Sequence, residues 1–383
     1  MRVVVVVAGP YPALRGSQVL VRHLERGLAA RGHDVALVTY GPHRGRRPGP
    51  RPARVALDAL LVLRLYRHLR RYGADVIHAH NYEAAIAGLI VGRVCGVPLV
   101  YHGHSALVQE LPTYASSAWG QRWFRRIGAL LDSQVPRRAD FCIAVSEELG
   151  LLLRAGGVLD GSLACIEPAN EPSELGAEDG DLAGAHRNGD GLVCYAGNLD
   201  GYQNLGFLFD AFARVRADLP AARLVLVTHA DARRQAARLG TGGLPRGVEI
   251  VEAKSYHAVR DRLAEADVAV LPRSEGSGFP MKLLNYMAAG KAIVASTGSA
   301  KGLRDGVTGR VVPDGDAAAF AAAVVELLHD GGTRARLGRA ARRAVLDPAA
   351  WEHRLDRIET IYHNLVVPRL SAVVPASFGE NIT

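Results

Sequence analysis

Short unbroken apolar runs alternate along this chain with stretches whose apolar positions recur every three or four residues. Residues 3–8, 35–39, 75–80, 98–104 and 140–145 are runs of the first kind. Continuous apolar character marks strands covered on both faces, as in a parallel sheet. Residues 19–31, 56–71 and 119–131 carry helical spacing, the first closed by Gly32. Ser146-Glu147-Glu148 reads as the start of another helix, with Ser146 as its cap. A second series of strands falls at 192–196, 223–227, 248–251, 268–271 and 293–295, and an amphipathic helix follows at 351–365. Between the two series, residues 167–191 turn to Pro, Glu, Asp, Gly and Asn, the composition of a linker. Strand–helix–strand order throughout predicts an α/β protein with two Rossmann-like domains. The predicted boundaries are 1–168, a linker at 169–191, 192–350, a last helix at 351–367 and a tail at 368–383.

Bulk properties narrow this picture without redirecting it. A chain of 383 residues with 49% apolar and 22% charged content has ample material for two cores. The formal charge of +8 would suit nucleic acid, anionic lipid or an anionic substrate. No nucleic-acid module accompanies it and aromatics are only 6%, so stacking platforms are excluded. Cys95, Cys142, Cys165 and Cys194 stand singly, as small core hydrophobes of a reducing compartment do, without the spacing of a zinc site or disulfide framework. The opening apolar run is too short for a signal peptide, and Gly9-Pro10-Tyr11-Pro12 follows it instead of a cleavage region. No apolar stretch reaches the ~20 residues of a membrane span.

Residues 271–296 are the most informative segment. A buried strand at 268–271 leads into a polar loop with Gly276 and Gly278, and Pro280 stands where a helix can begin. Gly290 ends the helix and another strand follows. Free backbone N–H groups and the helix dipole then both point at the loop, which makes an anion site. An ordinary turn of a nucleotide-free fold would carry the same glycines.

Tyr286-Met287-Ala288-Ala289-Gly290 resembles the A-M-A-x-G that closes the E-x7-E motif of the retaining GT-B glycosyltransferases of family 4. Ser277 and Asn285 stand at the two Glu positions, which in the family contact the transferred sugar and the nucleotide ribose. Asn285 can bond ribose hydroxyls through its amide; Ser277 offers a hydroxyl without charge, and Glu275 lies near enough to substitute. The resemblance extends to a loop with Gly16 after the first strand and to Leu28-Ala29-Ala30-Arg31-Gly32-His33-Asp34-Val35. It implies two domains facing across a cleft, the first for the acceptor and the second for a nucleotide-diphosphate sugar. It further implies transfer to an acceptor hydroxyl with retention of anomeric configuration, no metal or other cofactor, and a last helix that returns to the first domain.

Gly197-Asn198 parallels the family's G-R-x loop, whose Arg clamps the donor diphosphate together with a Lys further on. Asn198 and Gln203 occupy those two places, so both cations are missing. Lys282, behind Gly278, Phe279, Pro280 and Met281, is expected to restore the charge; it reads alternatively as a surface lysine with a buried stem. Histidines end two strands, His78 and His80 on one, His102 and His104 on the other. The resemblance puts His102 against the donor sugar, with Gly103 leaving it at the rim of the cleft. His80 and His104 are acceptor-side candidates, and all but His102 read equally as structural. Asp179-Gly180-Asp181 and Asp314-Gly315-Asp316 are turn chemistry and not a metal motif. The altered Glu pair keeps open a silent sugar-nucleotide-binding scaffold, or an epimerase of the same fold. Arg122, Arg125 and Arg126 with Trp123 and Phe124 suit a helix lying on an anionic membrane, or a solvated helix with inward aromatics. The expectation is a cytoplasmic protein, peripheral on the inner face of a membrane, whose acceptor is lipid-linked or a small molecule.

Overall fold

Five consecutive valines fill β1 (Arg2–Val7), and all five are buried. Side chains of that kind on both faces need cover on both faces, which a parallel sheet between helices supplies. The computed structural model describes residues 1–11, 16–41, 52–169, 191–229, 231–232, 235, 244–274, 276 and 278–373. Within it the chain divides into one unit of Met1–Glu167 with Glu352–Thr383, and a second of Pro168–Trp351.

The first unit continues with α1 (Gly16–Ala30), β2 (Asp34–Thr39), α2 (Pro52–Tyr72), β3 (Val76–His80), α3 (Asn81–Cys95) and β4 (Leu99–Gly103). Then come α4 (Leu107–Glu110), α5 (Ala118–Gln134), β5 (Phe141–Ala144), α6 (Glu147–Ala155) and β6 (Leu163–Cys165). The six strands are parallel in the order β2-β1-β3-β4-β5-β6. Ser146 caps α6, its hydroxyl accepting from the Leu149 N–H. Three features depart from the pattern reading. The helix α3 lacks apolar contrast because Ala and Gly dominate its buried face. Helix α2 begins at Pro52, four residues before the helical spacing at 56–71, since Pro suits a first helical position. The three-residue edge strand β6 is too short to show a period.

The second unit runs β7 (Leu192–Ala196), α7 (Leu205–Asp218), β8 (Arg223–Thr228), β9 (Val248–Glu252), α8 (Tyr256–Glu265) and β10 (Val268–Leu271). It ends with α9 (Met281–Ala288), β11 (Ala292–Ser296), β12 (Arg310–Val312), α10 (Ala317–His329) and α11 (Gly331–Val345). The order is β12-β11-β10-β7-β8-β9, again parallel. Helices cover both faces with separate apolar clusters, one around Leu226, Phe212 and Phe320, the other around Leu283, Tyr286 and Ile293. Asp316 caps α10 and Asp314 accepts from the Gly298 N–H, which is the turn chemistry expected of that triplet. The other acidic triplet and most of the linker lie outside the described residues.

The last helix, α12 (Pro348–Val373), passes through Pro368 and ends beyond the predicted tail boundary. Apolar spacing reports which residues are covered and not where hydrogen bonding stops, so the pattern faded before the helix did. Leu355, Ile358, Ile361 and Tyr362 form its buried face. Arg31 ion-pairs with Glu352, Asp356 and Glu359, and His33 meets Glu359 at 2.7 Å.

In each sheet the chain direction of strand addition reverses once, between β1 and β3 and between β7 and β10. Ligands of open α/β sheets bind beyond the carboxyl ends of strands at such points. Gly197 follows β7, the loop at 272–280 follows β10, and His80 and His102 end or nearly end β3 and β4. Both units hold a non-glycine residue at positive φ at that edge, Asn81 (68°) and Asn204 (57°). Asn tolerates this region better than most side chains.

Candidate functional site

In the second unit, the predicted donor residues converge on one ammonium group. Lys282 lies in the first turn of α9 and is partly buried. Its Nζ donates to the Tyr195 hydroxyl at 2.5 Å and to Gln203 Oε1 at 2.8 Å, and sits 4.1 Å from the Tyr195 ring centroid. The Tyr195 hydroxyl donates in turn to the Asn198 carbonyl. Gln203 Nε2 donates to Asn198 Oδ1, and Asn198 Nδ2 to the Tyr202 hydroxyl. Gln203 is buried, so this ring of bonds is rigid. Gly197 has φ +151, and a Cβ there would lie 2.8 Å from Lys282 Nζ; only glycine leaves the ammonium its place. Burial, and then the Arg273 charge, pull the Lys282 pKa down to about 7, while Asp200 opposes. Among the described residues two of the three ammonium protons have partners, which leaves the third for an anion.

Arg273 brings a second cation to this edge. Its guanidinium lies 5.4 Å from the Tyr202 ring centroid and fills the space a side chain at Gly276 would take. Asn204 Nδ2 donates to Ser274 Oγ at 3.1 Å, tying the start of α7 to the same loop. Gly278 and Pro280 are buried, and Phe279 packs on the core. Pro280 is the residue before α9 and Met281 its first, so the helix N-terminus faces the loop as expected. Asn285, one turn on, is partly exposed. Glu275 and Ser277 lie outside the described residues. Sequence reasoning missed Tyr195, Tyr202 and Arg273. An apolar-run reading treats a strand tyrosine as core, and Tyr195 is core and ligand to Lys282 at once.

In the first unit four histidines form one stack. Ring centroids of neighbours lie 4.8 to 5.1 Å apart across His78, His80, His102 and His104. Parallel register sets this: His80 lies opposite His102, and alternate residues share a face. His78 Nε2 meets His102 Nδ1 at 2.9 Å, His80 Nδ1 meets His104 Nε2 at 2.8 Å, and the Tyr362 hydroxyl meets His78 Nδ1 at 2.5 Å. Burial holds all four rings well below the ordinary histidine range, to about 3 for His78 and His104, and the charge of Arg354 adds to this. They are therefore neutral.

The rim position expected for His102 is corrected. His102 is wholly buried, because its strand is central and α12 covers this face with Tyr362. Burial makes this imidazole a weaker base than an ordinary histidine. Nitrogens of His78, His80 and His102 fall within 4.8 Å of one another, a spacing that could hold a metal ion. Both nitrogens of His78 and Nδ1 of His102 are already hydrogen-bonded, and Arg354 opposes a cation, so the donor set favours a proton-linked chain. Gly16 opens α1 at the carboxyl end of β1.

On α5, Trp119 (75% exposed), Trp123 (51%) and Leu130 (59%) follow one stripe, the two indole rings parallel at 6.2 Å. Arg122, Arg125 and Arg126 are exposed beside them. Phe124 is turned partly inward, so the outward aromatic pair is Trp119 with Trp123 and not Trp123 with Phe124. No described helix is long and apolar enough to cross a membrane.

Two family models divide the chain much as its contacts do. Residues 14–166 match the glycosyltransferase family 4 model, and residues 190–330 match the model of glycosyl transferases group 1. The chain belongs to the family 4 glycosyltransferases. Among its relatives, a D-inositol 3-phosphate glycosyltransferase of Geodermatophilus obscurus is 27% identical over 86% of this chain and 75% of its own. A phosphatidyl-myo-inositol mannosyltransferase of Mycobacterium leprae is 29% identical over 86% of this chain and 84% of its own. In fold, sucrose-phosphate synthase of Thermosynechococcus elongatus superposes with a TM-score of 0.77 at 21% identity, covering 96% of this chain and 99% of its own. HepE of Anabaena, solved with UDP-glucose, gives 0.66 at 17%, covering 97% and all of its own chain. The family and the two parallel-sheet units define a GT-B fold.

Proposed function

We propose that this glycosyltransferase moves a sugar from a nucleotide-diphosphate donor to an acceptor hydroxyl with retention of anomeric configuration. The observation that carries the reading is the Lys282 ammonium, held by Gln203 and Tyr195 beside Gly197 with one proton unused among the described residues. Gln203 stands where the family resemblance places a lysine, and Lys282 brings a cationic nitrogen to within 2.8 Å of its side chain. In the reaction the bond from the anomeric carbon to the diphosphate breaks, and the electron pair leaves with the diphosphate. The acceptor oxygen bonds on the same face, and its proton passes to the departing phosphate. The protein must then stabilise a diphosphate and a cationic sugar. Lys282, Asn198 and the N-terminus of α9 behind Gly278, Phe279, Pro280 and Met281 serve the diphosphate. Asn285 is assigned to the ribose, and the family resemblance assigns the sugar hydroxyls to Ser277 or, in its place, Glu275. By the family resemblance Gly16 is assigned to the donor and His102 to its sugar, with His80 and His104 on the acceptor side.

Relatives named for inositol phosphate and phosphatidyl-inositol support a polyol acceptor, free or lipid-linked. The Trp–Arg stripe of α5 supports a cytoplasmic enzyme resting on the anionic inner face of a membrane. No metal is assigned to the transfer. A panel of nucleotide sugars in thermal-shift assays identifies the donor, since a ligand at 100 Kd adds ~2.7 kcal/mol of stability. The anomeric configuration of the product, read by NMR, then tests retention. Donor binding with no turnover on any polyol or lipid-linked acceptor would overturn the reading in favour of a binding scaffold; an epimerised free sugar nucleotide would overturn it in favour of an epimerase.

A further inference from the structure

Two glycines at the carboxyl edge of the second sheet each clear the place of a cation. Gly197 and Gly276 have φ of +151° and +148°, a region that side chains rarely enter. A Cβ on Gly197 would meet the Lys282 ammonium, and one on Gly276 would meet the Arg273 guanidinium. That guanidinium also lies over the Tyr202 ring, 5.4 Å from its centroid. The Tyr202 hydroxyl accepts from Asn198 Nδ2 at 2.8 Å, Asn198 Oδ1 accepts from Gln203 Nε2 at 2.9 Å, and Gln203 Oε1 accepts from Lys282 at 2.8 Å. One run of side chains therefore holds both cations. Packing alone does not explain the pairing, because like charges repel. After burial, it is the Arg273 charge that draws the Lys282 pKa down to about 7, with Asp200 opposing.

We propose that Arg273 is a donor-binding residue, a second clamp on the nucleotide diphosphate beside Lys282, with Tyr202 as the shelf that positions its guanidinium. The proposal rests on the reading of this edge as the donor site. A sugar nucleotide carries one negative charge on each phosphate, and the Lys282 ammonium has one proton left among the described residues. A single lysine would leave the second phosphate without a charged partner. A guanidinium supplies one, with parallel N–H groups that match phosphate oxygens as an ammonium does not. Arg273 stands two residues beyond the end of β10 and is only half-buried, so a ligand at the carboxyl edge of the strand can reach it.

Calorimetric titration with UDP, GDP and ADP at pH 6, where Lys282 keeps its proton, tests this directly. The nucleotide that binds the unaltered protein should bind Arg273→Gln about 10- to 100-fold more weakly, the scale of a charged hydrogen bond. Arg273→Lys, which keeps the charge without the planar fork, should lose less. The pH at which affinity falls should also move upward in Arg273→Gln, since Lys282 then holds its proton more tightly. An Arg273→Gln protein that binds like the unaltered one, while Lys282→Met binds more weakly, overturns the proposal and leaves the donor site standing. If neither substitution weakens binding, or none of the three nucleotides binds, the donor-site reading fails and takes the proposal with it. A structure with the bound nucleotide decides the matter even if Arg273→Gln fails to fold. A guanidinium in hydrogen-bond reach of a phosphate supports the proposal, and one out of reach of both overturns it.

Discussion

Lys282 is kept at an energetic disadvantage. An ammonium drawn down to about 7 binds its proton more weakly in the folded chain than in the unfolded one. Between about 7 and its ordinary value near 10.5 the unfolded state carries more of that proton, so this group's effect on stability improves as pH rises through that window. A residue of this kind is explained by a ligand that wants the charge. Lys282→Met is expected to leave the melting temperature unchanged or raise it, while weakening donor binding by about 1.5–3 kcal/mol, the scale of a charged hydrogen bond. Calorimetry of the variant measures the second effect and thermal unfolding the first. Donor binding should itself be pH-dependent. A bound diphosphate raises the lysine pKa, so affinity should fall above about pH 7 with proton uptake on binding, seen as a dependence of the heat on buffer ionisation enthalpy. Lys282→Met should abolish that dependence.

At the scale of elements, the histidine pairs on β3 and β4 make the first unit acid-sensitive. Their folded pKa values lie below the ordinary histidine value of 6.5, with His78 and His104 at about 3. The unfolded chain takes up these protons first, so stability is full above about 6.5 and is lost as pH falls from there toward 3. Melting temperature against pH should show a steep acid limb, shallower in His104→Gln, which removes one of the four titrating rings. Helix α5 carries the membrane reading. Binding to anionic vesicles should weaken with salt, since exposed charges are screened beyond ~8 Å at physiological ionic strength. Trp119→Ser with Trp123→Ser should remove it at every salt concentration, whereas replacing Arg122, Arg125 and Arg126 by Gln should remove its salt dependence. Donor affinity should survive both. No vesicle binding in the unaltered protein would leave a soluble acceptor and make the stripe an ordinary solvated face.

At the scale of the molecule, the first unit is built from both ends of the chain. Ending the chain at Trp351 would strip Leu355, Ile358, Ile361 and Tyr362 from it, together with the carboxylates around Arg31. Limited proteolysis of that truncation should degrade the first unit quickly and leave a resistant fragment from the second, whose two apolar clusters are intact. Much of this architecture could be read along the chain. Nearly every central strand was legible, because a strand buried on both faces must be apolar without interruption, and so was the loop between β10 and α9, because turn and cap chemistry is local. The helix α3 and the edge strands β6 and β12 were not, because Ala-Gly helices and three-residue strands carry no period. For the site, the family resemblance placed Gly197, Asn198, Gln203 and Lys282 as candidates for one task but could not join them. Their joining depends on Tyr195, three residues before Asn198 and eighty-seven from Lys282. The burial of His102 and its link through His78 to Tyr362 were likewise invisible. Sequence periodicity reports which side of an element is covered, and only the packed structure decides what covers it.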